Sequence, residues 1–211
     1  MRQVLRRYRD FPFVTVTLVG INVLVFFACM FTGELLYYLG GVYRTGILIQ
    51  HEYGRLLWAL FLHDDTAHLF NNMIILLFLG AMLEKETGHL PLALIYFLSG
   101  IGGNIASLID KIMTESNALS IGASGAVFGL DGLLLALVLF SEEFRNTVSP
   151  GRVFLMIALS LYEGFMGSNI DNAAHVGGLI IGFVTGTIFV LARKVINGKR
   201  RQRVQSGEAV F

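Results

Sequence analysis

Residues 122–140 read GASGAVFGLDGLLLALVLF, an apolar run broken by one acid, Asp131, and opened by one hydroxyl, that of Ser124. A helix that crosses a bilayer needs about 20 mostly apolar residues, and this stretch supplies them. Five more runs flank it, at 11–31, about 57–83, 90–109, 153–166 and 173–192. The composition agrees. Of 211 residues, 55% are hydrophobic and 15% charged, with a mean hydropathy of +0.67, whereas soluble domains carry about 25% charge. The expected fold is all-α, a polytopic membrane protein whose six transmembrane helices pack as one domain over 11–194. A basic N-terminus (1–10) precedes it and a basic tail (195–211) follows. A single cysteine, Cys29, excludes an internal disulfide framework. A net charge of +1 provides no basic surface for nucleic acid.

Arg2, Arg6, Arg7 and Arg9 ahead of the first run resemble a signal peptide, but the run is longer than a typical h-region and reads as a retained anchor. With six spans both termini share a side. Of the 16 lysines and arginines, all but Arg44, Arg55 and Lys111 fall on that side. The positive-inside rule then puts both termini in the cytoplasm of a multi-pass plasma-membrane protein. The tail from Asn197 reads as a solvated or headgroup-binding end. The first external connection, 32–56, contains Leu35, Leu36, Tyr37, Tyr38 and Leu39, and is expected to lie partly in the membrane interface. The fifth run is short for a span, so it is tilted or extends through Glu163.

Polar side chains are costly in lipid, so each one in such a chain is a functional hypothesis. His63 to Asn72, Ser124 and His175 all fall at the outer ends of their runs, and Asp131 lies deeper in its own. Ser124 sits in Gly122-Ala123-Ser124-Gly125, where small neighbours let a substrate backbone approach a hydroxyl and a helix start offers free N–H groups to an oxyanion. The bland alternative is a small residue used for packing. His175 is followed by Gly178, Gly182 and Gly186 on one helical face, and Gly125, Gly129 and Gly132 form a row on the fourth run. Such rows let helix backbones approach closely, which would bring the imidazole to the hydroxyl as its general base. His68 and Asn72, one turn apart, share a face and suit an oxyanion hole. Asn71 points about 100° away and reads as a packing or interhelical residue. Asp171, four residues before His175, reads as a helix-start residue, so a dyad rather than a triad is expected. Asp131 is read first as a core hydrogen-bonding group and second as the lining of a water-filled recess.

Together these residues resemble the rhomboid intramembrane serine proteases of the minimal six-span bacterial type. The motifs are His63 with His68-Leu69-Phe70-Asn71-Asn72, Gly80 through Glu84-Lys85, Gly122-Ala123-Ser124-Gly125, and Ala174-His175-Val176-Gly177-Gly178 continuing to Gly182. The resemblance implies Ser124 as nucleophile, His175 as base, and the Ser124 N–H, His68 and Asn72 around the oxyanion. It implies supporting or packing roles for His63, Arg55, Glu84, Gly122, Gly125, Phe128, Gly178 and Gly182. It also implies a half-embedded first loop, and a gate formed by the fifth span with the connection 167–172. Substrates would be single-span membrane proteins. Two departures stand out: Gly54 replaces the Trp of the family's Trp-Arg pair, and Phe128 replaces a frequent Tyr. Activity is expected to survive both.

No metal or other cofactor is called for, and the sequence does not set the oligomeric state. Three rival readings remain. One is an inactive rhomboid-like protein that binds membrane clients, and its mark would be a missing Ser or His. The second is a metal-dependent intramembrane hydrolase using His63, His68 and His175. The third, a small transporter, lacks the paired broken helices of inverted repeats.

Overall fold

The computed structural model describes residues 11–146, 148–166 and 170–205. Helix α1 (Phe13–Thr32) follows Pro12 and stops at Gly33, whose φ of 61° ends the helical path. Short helices α2 (Leu35–Gly40), α3 (Arg44–Leu48) and α4 (Arg55–Trp58), with a 3₁₀ turn at Ala59–Phe61, fold the first connection onto the bundle. Helix α5 (Thr66–Ile75) runs through a widened turn at Leu76–Gly80 into α6 (Ala81–Thr87), and Gly88 at φ 91° ends it. Then come α7 (His89–Met113), α8 (Ser124–Phe140), α9 (Glu142–Arg145), α10 (Pro150–Met166) and α11 (Asn172–Gln205).

Among the described residues, Phe13–Thr32, Thr66–Thr87, His89–Met113 and Asn172–Lys199 are long and apolar enough to cross a membrane, while Ser124–Phe140 and Pro150–Tyr162 are shorter apolar helices. The second span starts later than hydropathy suggests. Residues 57–61 belong to the folded connection, and Asp65 starts the span by accepting the His68 N–H at 2.8 Å. The basic tail is helical through Gln205, because α11 continues without a break. The connection 167–169 assigned to the gate lies outside the described residues.

The bundle is apolar on its outside as well as in its core. Leu24, Phe31, Phe78, Leu94, Ile180 and Ile188 are exposed, as lipid-facing side chains are. Helix α8 is buried along most of its length, with Leu130, Leu133 and Leu137 sealed inside. Its neighbours α7 and α11 come close because small residues meet there. A Cβ on Gly182 would stand 2.0 Å from the Gly129 carbonyl oxygen, and one on Gly103 would stand 2.6 Å from that of Ala174. No side chain larger than hydrogen fits at these crossings.

The opposite end of the bundle is closed by Glu84, almost fully buried on α6. Its two carboxylate oxygens accept the Val14 and Thr15 N–H groups, each at 2.8 Å. Glu84 thereby caps the start of α1 from 70 residues away, satisfying donors that lipid would leave bare. In the first connection Arg55 donates to the Tyr38 and Gly41 carbonyls and to Tyr43, and pairs with Glu52. Its guanidinium also sits 4.4 Å from the centre of the Tyr43 ring. The connection is anchored although Gly54 lacks a side chain.

Candidate active site

With 17 residues, α8 is about 25 Å long, shorter than a hydrocarbon layer of about 30 Å. The buried end of the connection 114–123 reaches into the bundle to meet it, and Ser124 is its first helical residue. Across from it, three residues into α11, stands His175. The Ser124 Oγ and His175 Nε2 are 2.9 Å apart. The glycine crossings of α8 and α11 create this proximity, as the two small-residue rows suggest. Phe128, one turn below Ser124, stacks on the imidazole with ring centres 4.3 Å apart and planes 20° from parallel. The His175 Nδ1 is buried and has no hydrogen-bond partner among the described residues.

His68 and Asn72 lie one turn apart on α5, with Asn72 buried. The His68 Nδ1 faces the Asp64 carboxylate at 2.7 Å, which turns its Nε2 toward Gly122. A Cβ on Gly122 would be 2.7 Å from that Nε2 and 3.8 Å from the Ser124 Oγ. The imidazole and the hydroxyl thus flank one glycine, whose φ of 122° itself excludes most side chains. Asn71 is exposed on another face of the helix rather than packed between helices.

His63 is fully buried beneath His68, their rings meeting edge-on at 4.9 Å. Burial, then the neighbouring His68, pushes its pKa down to about 4, so it is neutral near pH 7. Its Nε2 accepts the Ala123 N–H at 3.4 Å, and Tyr37 donates to its carbonyl at 2.7 Å. His63 therefore holds the residue that precedes Ser124. For Asp64, burial acts upward, but the hydrogen bond and charge of His68 bring its carboxyl below the usual range. Among the described residues, no group of three or more His, Cys, Asp or Glu is arranged to hold a metal ion.

One feature of the site was missed in the sequence. Asp171 does cap α11, accepting the Ala174 N–H at 2.9 Å. Its carboxylate also accepts the hydroxyls of Ser107 and Ser120, and the Lys111 Nζ lies 3.6 Å away. Burial works to raise this carboxyl, but the two hydroxyls, the Ala174 N–H and Lys111 hold it below the usual range. Lys111 near the end of an apolar run was the one signal available, because a buried lysine needs an acid. Asp131 lies buried two turns below Ser124 on nearly the same face.

The Rhomboid domain model matches residues 50–192. RHOMBOID-like protein 1 of Arabidopsis thaliana is 33% identical over 72% of this chain and 39% of its own length. Rhomboid protease GluP of Bacillus subtilis is 35% identical over 90% of this chain and 37% of its own length. YdcA of the same bacterium is 36% identical, and the match covers 70% of this chain and 72% of YdcA. The matched region is thus less than half of RHOMBOID-like protein 1 and of GluP.

Proposed function

This chain belongs to the rhomboid family, and on that premise we propose that it is a serine endopeptidase of the membrane, cleaving single-span membrane proteins near the outer face. The observation that carries this reading is the 2.9 Å contact between the Ser124 Oγ and the His175 Nε2. A serine hydroxyl attacks poorly until a base removes its proton, and a neutral imidazole at that distance is such a base.

The Ser124 Oγ attacks the scissile carbonyl carbon while its proton passes to the His175 Nε2. The carbonyl oxygen becomes an oxyanion held by the Ser124 N–H, the Asn72 amide and the His68 Nε2–H. His68 thus stands between Asp64, 2.7 Å from its Nδ1, and the oxyanion. Collapse of the intermediate breaks the C–N bond, and the departing amine takes the proton from His175. Water then attacks the acyl-Ser124 ester with His175 again as base, releasing the new carboxylate and restoring the hydroxyl.

Substrate enters beside α10. The described buried residues of α10, Val153 and Ile157, lie in its first half, and the gate reading rests on the fifth span as a whole. Both termini face the cytoplasm, as the distribution of lysine and arginine supports. The test is cleavage of a single-span substrate in liposomes by the wild type, Ser124→Ala and His175→Ala, with loss of cleavage expected in both variants.

A further inference from the structure

Ser120 lies four residues before Ser124, and Asp171 lies four residues before His175. The Ser120 hydroxyl donates to the Asp171 carboxylate, so the same two segments that meet at the dyad also meet one step upstream. Capping α11 needs only one carboxylate oxygen, and Oδ1 serves there with the Ala174 N–H. The other, Oδ2, takes the Ser107 and Ser120 hydroxyls, which are 3.2 Å from each other, and faces Lys111. Ser107, Ser120 and Lys111 are all buried. Asp171 is half-buried, a buried lysine beside it is costly to desolvate, and helix capping alone does not require one.

Besides the Ser107–Ser120 hydroxyl contact to α7, the segment 120–123 has three other hydrogen-bonded attachments among the described residues. Ser120 exchanges two backbone hydrogen bonds with Val42, Gly122 donates to the Ala59 carbonyl, and Ala123 donates to His63. All three lead to the first connection or its junction with α5. Among the described residues, the hydrogen bond that ties this segment to the start of α11 is the one from Ser120 to Asp171. The Asp171 carboxylate is directed at hydroxyls, and the His175 Nδ1 has no hydrogen-bond partner among the described residues. Asp171 is therefore not the third member of a triad.

We propose that Asp171 is a positioning residue that holds Ser124 and His175 in register through its bond to Ser120. This rests on the dyad reading above. Orientation errors well below the width of an atom are costly in such a site, and the bond acts one turn from each reacting group.

The test uses the full chain in liposomes, comparing wild type, Ser124→Ala, Asp171→Asn, Ser120→Ala and the Asp171→Asn/Ser120→Ala double variant. Asp171→Asn keeps an oxygen for the Ala174 N–H, and Ser120→Ala leaves α11 untouched. The expected result is a fall in kcat of about 10- to 100-fold in each single variant, with KM within about 2-fold. The rate at which a fluorophosphonate labels Ser124 should fall in parallel per folded molecule. The double variant should be no worse than Asp171→Asn, because both changes cut the same tie. Wild-type kcat in the single variants, additive losses in the double variant, or an effect confined to the unfolding temperature would overturn the proposal while leaving the dyad standing. A wild type that neither cleaves nor is labelled would overturn both.

Discussion

Gly178 and Gly125 touch backbone to backbone: a Cβ added to Gly178 would lie 1.9 Å from the Gly125 carbonyl oxygen. No rotamer change relieves such a clash, so α8 and α11 must separate. Gly178→Ala is expected to cost about 1–3 kcal/mol or more, as overpacking does, and to lower the cleavage rate by at least about 10-fold through a longer Ser124–His175 distance. Gly20→Ala is the control, because a Cβ there meets nothing within 4 Å. Thermal unfolding in detergent and cleavage kinetics distinguish the two variants.

Gly122→Ala tests the oxyanion side. The substitution forces an L-residue into a φ of 122° and puts a methyl group 2.7 Å from the His68 Nε2. Strain of about 1–3 kcal/mol is expected, and His68 must swing aside. Fluorophosphonate labelling should fall about 100-fold or more, as when an oxyanion donor is removed. Unimpaired labelling would mean that His68 does not serve the reacting carbonyl.

These glycines also show what the sequence made legible. In a chain with so little charge, His68, Asn72, Ser124 and His175 stood out individually, and the glycine rows at three- and four-residue spacing indicated which helices carry them together. The Ser107–Ser120–Asp171–Lys111 network had no such periodic signature. Its members come from a span, a loop and a helix start, and only tertiary packing unites them. Hydropathy starts the second span too early because residues 57–61 are as apolar as a span, yet Asp65 is where the helix finds its cap. Arg55 holds its loop through backbone carbonyls and the Tyr43 ring, so the absence of a tryptophan at Gly54 said little about anchoring.

Phe128 contributes a ring face to His175 and nothing polar. Phe128→Tyr should leave kcat within about 3-fold, whereas Phe128→Ala removes a buried ring, costs about 3–5 kcal/mol and lets the imidazole tilt. Cleavage by the folded Ala variant should fall about 10-fold or more. Equal rates for all three proteins would remove the ring from the account.

His63 makes stability depend on pH. Its folded pKa of about 4 lies below the ordinary 6.5, so between those values the unfolded chain binds a proton that the folded chain refuses. Stability from this group is complete above about pH 6.5 and is lost as pH falls toward 4, by at most about 3 kcal/mol. His63→Gln keeps an acceptor for the Ala123 N–H and does not titrate. It should flatten the slope of unfolding temperature against pH over that interval. An unchanged slope would place the titration elsewhere.

The most direct measurement of the central claim is labelling of the purified protein by a fluorophosphonate, with the modified residue identified by peptide mass, run beside cleavage of a single-span substrate. The account predicts modification at Ser124 in the wild type, none in Ser124→Ala, strongly slowed modification in His175→Ala, and loss of cleavage in both variants. Cleavage that persists in Ser124→Ala, or that a chelator abolishes while the fluorophosphonate has no effect, would contradict it.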